Sequence, residues 1–167
     1  FWGAGRPNTP ANAWALLAFK ETHDETRDPA ILKWIATARA DVLATRRPDG
    51  SFSFGRQGHA DVYATVMAAW ALNETGSDRV FLSEVVAAID WLRRRVLDGD
   101  PSVLGLGVAE QIAWVLARAE RRSPGLASKG GALDRVAREV LAHCGLEGGA
   151  CTRSIGDTGR IAVSDGG

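Results

Sequence analysis

His59, Asp61 and Tyr63 alternate along one short stretch that runs into an apolar segment of helical character. A helix beginning near Asp61 offers unpaired backbone N–H groups, so its entrance could hold an anion. The same residues have a simpler use, in which Asp61 caps the helix and His59 is a solvated loop residue. Glu110, beside Gln111, occupies the matching start of a later helix. It could be an inward carboxylate, although acids in a first turn are also favoured by the helix dipole. Asp61 and Glu110 are therefore the candidates for a catalytic carboxylate, and His59, Asp61 and Tyr63 for ligand contacts.

Metal chemistry finds little to work with. Cys144 and Cys151 lie close together, but neither sits in a CxxC pair and no histidine has ligand spacing beside them. Reduced thiols are the simpler reading, and a disulfide closing that short loop is the alternative in an oxidising compartment. No metal and no cofactor is expected. Lysine plus arginine equals aspartate plus glutamate, 20 against 20. That balance gives no general case for nucleic acid or an anionic membrane as partner. The arginine runs Arg93-Arg94-Arg95 and Arg118-Glu120-Arg121-Arg122 fall late in predicted helices, where cations suit the dipole. With no secretory, membrane-spanning or lipidation signal, a cytoplasmic setting is expected.

These residues depend on a turn and a set of helices. In RRPDGSFSFGRQGHADVYATVMAAWAL, from Arg46 to Leu72, Pro48-Asp49-Gly50 makes a turn and Phe52 and Phe54 pin it onto apolar surface. Helices are predicted over Pro10–Thr22 with Thr9 as cap, from Asp28-Pro29 to about Thr45, and over Asp61–Glu74. Three more follow over Arg79–Leu97, Ala109–Arg121 and Ala132–His143. The second carries its apolar stripe on Ile31, Trp34, Ile35, Ala38 and Val42, with Lys33, Thr37 and Asp41 opposite. The third is apolar on most sides and should be buried on most sides. Residues 150–167 form an irregular tail, with a small hairpin over Arg153–Ile155 and Arg160–Val163 as its one regular option.

The helices repeat. NAWALL at Trp14, AAWALN at Trp70 and IAWVLA at Trp114 place tryptophan at one position of the first, third and fifth helices. Spacing of roughly fifty residues means stacked supersecondary units. Recurrence at equivalent positions favours a packing role for these tryptophans over a cofactor box. Alternation of apolar and amphipathic helices implies two concentric layers, hence an all-α fold over residues 1–149, an α/α toroid or half-toroid of about three helical hairpins.

PDGSF, a loop and DVYATVMAAWAL resemble the repeat of squalene and terpenoid cyclases and protein prenyltransferases. Pro48, Asp49, Gly50, Phe52, Asp61, Tyr63, Thr65, Ala69 and Leu72 stand where that pattern expects them, while Arg46 replaces its usual glutamine. The resemblance implies a ring of about six helix pairs, twice the number here. The ends, SDGG and FWGAGRPNTP, read as two halves of one such turn, so a fragment, a dimer-closed ring or a shortened, permuted toroid would each fit. The family's catalytic DxDD acid is missing, and so is the Asp-x-Cys of its zinc site, although His143, Cys144, Cys151 and Asp157 lie near one another in sequence. The expected function is thus a non-catalytic binding or assembly module holding a protein partner or an apolar ligand. The alternative is a cyclase- or prenyltransferase-like enzyme fragment with its catalytic residues outside this chain.

Overall fold

Asparagine and aspartate start most of the helices, each by giving a side-chain oxygen to a backbone N–H that the helix cannot satisfy itself. In the computed structural model, which describes residues 8–76, 83–105, 107–144, 152–154 and 160–162, Asn8 Oδ1 accepts from Ala11 N at 3.1 Å and opens α1, Thr9–Thr26. Thr9 was the expected cap, but its hydroxyl is engaged elsewhere, within 2.6 Å of both Ser53 O and Thr45 Oγ1. Asp28 Oδ1 accepts from Ala30 N at the start of α2, Ala30–Leu43. Asp61 Oδ1 accepts from Ala64 N at 2.7 Å and opens α3, Val62–Thr75. α4 spans Ser83–Asp98. The expected cap at Ser77 or Asp78 and the apolar Phe81 lie outside the described residues. A one-turn helix absent from the sequence reading, α5 at Pro101–Leu104, is capped by Asp100 and starts on Pro101. α6 covers Val108–Arg122 and α7 covers Ala132–Cys144. The fold is all-α, with two short antiparallel ladders: β1, Phe52–Ser53, on β2, Ala60–Asp61, and β3, Thr152–Ser154, on β4, Arg160–Ala162.

The chain divides into two compact units, Phe1–Leu92 and Arg93–Gly167. In the first, α1 packs against both α2 and α3. α3 is buried at Ala64–Ala69 and again at Ala71–Asn73, as a helix apolar on most sides should be. α2 departs from its pattern: only Ala38 and Val42 are buried, and Trp34 stays 43 % exposed. Phe19 of α1 meets the Trp34 ring at 6.2 Å, so that indole rests on the hairpin's flank instead of entering its core.

Between α2 and α3 the organising turn behaves as a rivet. Gly50 N donates to Arg47 O to close it, and Asp49 Oδ1 accepts from both the N and Oγ of Ser51. Burial opposes ionisation of Asp49, yet the Ser51 hydrogen bonds, with Arg47 and Trp91 nearby, hold its carboxyl below the usual range. Phe52 N donates to Thr65 Oγ1, and Thr65 Oγ1 donates to Asp61 O at 2.6 Å. Arg47 Nη1 donates to Gly58 O across the loop. Thr9, Thr45, Ser51, Ser53 and Thr65 are all buried and all hydrogen-bonded. Buried hydroxyls without partners would cost far more than these bonds supply net, so the cluster fixes the starts of α1 and α3 to the end of α2.

In the second unit α6 packs on α7 and α5, with Ala109, Ile112, Val115, Leu116 and Ala119 forming its buried stripe. Glu120, in the last turn of α6, accepts from the backbone N–H of Gly125, Ala127 and Ser128 and from Ser128 Oγ. The Gly125 and Ser128 amides pull its carboxyl from 4.5 to about 2. A pKa depressed by folding adds stability that is present above pH 4.5 and is lost as the pH falls toward 2. Glu120→Gln is therefore expected to flatten the acid limb of the stability curve in that interval, measured by urea unfolding at stepped pH. An unchanged acid limb would show that the 123–128 loop does not depend on the charge.

Candidate functional site

Each of the four residues singled out for chemistry has a definite place. Asp61 sits at the N-terminus of α3, its carboxylate on Ala64 N and its main chain paired with Phe52. That oxygen occupies an amide an anion would need, so the capping role is the one the geometry displays. His59 is exposed in the preceding loop, and Tyr63, in the first turn of α3, is 39 % exposed. Among the described residues no hydrogen bond joins His59, Asp61 and Tyr63 to one another. Glu110 lies in the first turn of α6, whose N-cap Gly107 provides no side-chain bond. Asp61 belongs to the first unit and Glu110 to the second. No group of three metal-ligating side chains occurs among the described residues. Cys151 and Asp157, with the Cys144 side chain, lie outside them.

The repeat position gives a different candidate. Two residues after each tryptophan comes a leucine, and Leu16, Leu72 and Leu116 are all completely buried. The tryptophans are not: Trp14 is 52 % exposed and Trp114 39 %. A shift of two positions turns a side chain by roughly 200° about a helix, so burying the leucine carries the indole to the other side. The core position at Trp14 and Trp114 thus falls to the leucines, while Trp70 is half-buried.

Within the first unit, Trp14 of α1 meets Trp70 of α3 edge to face, ring centroids 5.1 Å apart at 78°. Trp70, Met67 and Tyr63 stand at i+7, i+4 and i of α3 and so share one face. The result is an aromatic surface of Trp14, Trp70 and Tyr63, with Met67 beneath at 3 % exposure. Phe54, expected to pin the turn, is instead 48 % exposed, while its carbonyl accepts from Thr9 N. In the second unit the Arg118 guanidinium lies over the Trp114 ring, 4.8 Å from its centroid. The sequence held the signal for this surface in the invariant two-residue step from tryptophan to leucine, which helical geometry converts into opposite faces.

No described helix is long and apolar enough to cross a membrane. Comparison with protein-family models, curated proteins and solved structures returns no match.

Proposed function

We propose that this chain is a non-catalytic binding module of toroid type, related to the squalene-cyclase and prenyltransferase repeats. It holds an apolar ligand, or the apolar surface of a partner, against the Trp14 and Trp70 surface of its first unit. The observation that carries the reading is the division of labour at the repeat position, where the leucine is buried while Trp14 stays 52 % exposed and Trp114 39 %. Burying a large apolar side chain is worth about 1.5–3 kcal/mol, so exposed indoles hold that stabilisation in reserve for something else. Tryptophan is also the residue type most enriched among the anchors of binding surfaces. The capping engagement of Asp61 supports a module more than a catalyst.

The test is a titration of the purified chain with farnesol, an uncharged apolar isoprenoid, followed by tryptophan fluorescence. Saturable change is expected, and Trp14→Ala should weaken it about tenfold, roughly 1.4 kcal/mol, with the circular dichroism unchanged. A flat titration would overturn the ligand form of the proposal. Turnover of farnesyl diphosphate by the same preparation would replace the module with an enzyme.

A further inference from the structure

The outer face of α2 carries a pattern that matches itself. Only three of its 14 residues are charged, Lys33, Arg39 and Asp41. Lys33, Thr37 and Asp41 form one i, i+4, i+8 row, and Leu32, Ala36 and Ala40 form the row beside it. Lys33, Ala36, Thr37 and Ala40 are exposed, Leu32 is 51 % exposed, and Asp41 and Leu43 are half-buried. Neither the Lys33 ammonium nor the Asp41 carboxylate has a partner among the described residues. The Thr37 hydroxyl is already satisfied by Lys33 O at 2.9 Å.

We propose that this face is the contact for a second copy of the chain, with two α2 helices antiparallel about a two-fold axis at Thr37. Lys33 lies four residues before Thr37 and Asp41 four after, about 6 Å to either side along the helix. A two-fold axis there sets Lys33 of each copy against Asp41 of the other, twice. Leu32 lies five residues before Thr37 and Leu43 six after, so the same operation brings Leu32 of one copy to within about 1.5 Å of the level of Leu43 of the other, on the other flank. Ala36 and Ala40 between them leave room for the two backbones to approach. One positive and one negative side chain at equal distances from Thr37 are self-complementary under that operation, as an isologous contact requires. The apolar row supplies attraction, and the charges fix direction and register, because exposed ion pairs add little affinity of their own. One helix pair makes a small interface, under about 1,200 Å² in total, so the dimer is weak and reversible.

Sedimentation velocity over a concentration series tests it, using the intact chain. A monomer–dimer equilibrium is expected with Kd of about 10–500 µM, in line with a small interface. Lys33→Asp or Asp41→Lys alone places like charges opposite each other at two points and should weaken the dimer at least about tenfold. The double reversal Lys33→Asp/Asp41→Lys restores opposite charges and should return Kd to within about threefold of the original. Neither side chain is paired among the described residues, so circular dichroism should be the same in all four proteins. A chain monomeric up to about 1 mM, single reversals without effect, or a double reversal that fails to recover would each overturn the proposal. The Trp14 surface plays no part in this contact, and Trp14→Ala should leave the equilibrium unchanged.

Discussion

Gly50→Ala is expected to destabilise the first unit by about 3 kcal/mol or more, seen as a lower urea midpoint by circular dichroism. Two independent costs meet at this residue. Its φ is +93°, a conformation that L side chains rarely adopt, at a cost of about 1 kcal/mol. A methyl group there would also stand 2.6 Å from Ala87 O and 2.9 Å from Ala87 C. These are backbone atoms of α4, and no rotamer change moves them out of the way. Relief would mean lifting the turn from α4, which would strain the Trp91 hydrogen bond to Asp49 and the hydroxyl cluster behind it. Gly107, in the second unit, separates the two costs: its φ is +83°, but nothing lies within 4 Å of a Cβ there. Gly107→Ala should lose only the conformational part, about 1 kcal/mol. Equal losses at the two glycines would show that the turn does not rest on α4 as described.

The consequence reaches the aromatic surface. The turn holds the first residues of α1 through Thr9 and of α3 through Thr65 and Asp61. Those helices carry Trp14 and Trp70, whose edge-to-face contact fixes the surface. Loosening the rivet should broaden that contact before any helix melts, because helices packed over a long face unfold later than the loops joining them.

Helices were legible because their signals are local. Asp61 three residues before Ala64, and Asp28 two before Ala30, specify helix starts by short-range bonding alone. The α3 burial followed from composition, since a helix with almost no polar face has only one stable place to be. What escaped notice depends on partners distant in sequence or on competition between neighbours. Thr9 looked like a cap, but Thr45 and Ser53, 36 and 44 residues away, take its hydroxyl and leave the cap to Asn8. The end of α1 carried no glycine, because Arg27 itself adopts the left-handed conformation at φ 56°. Glu120 read as one more charge in a basic helix end. Its role as an acceptor for four donors needs the 123–128 loop to fold back, and no periodicity encodes that. At the candidate surface, the three tryptophans were found by repetition, but the exposure of Trp14 and Trp114 was misjudged, while Trp70 is half-buried. Repetition shows that a position matters, and only the rotation between tryptophan and leucine shows which of the two faces the core.

Phe52→Ala is expected to cost about 3–5 kcal/mol, the range for removing a wholly buried aromatic ring. Phe52 has no exposed surface and is among the largest side chains fully enclosed. Its main chain is held separately, by Thr65 Oγ1 at 2.9 Å and by pairing with Asp61, so truncation leaves the backbone in place and a cavity under the turn. Residual volume adds to the lost transfer energy where the surroundings cannot collapse, and a rivet of buried hydroxyls is poorly able to collapse. Phe52→Leu should recover much of the loss by refilling the space. Phe54 supplies the control, because sequence alone gave the two rings the same task. At 48 % exposure it is only half inside, and Phe54→Ala should cost about 1 kcal/mol. Urea unfolding of the three variants measures the division directly. Comparable costs at the two positions would mean that both rings hold the turn, and that Phe54 is not available to the surface on which it now lies open.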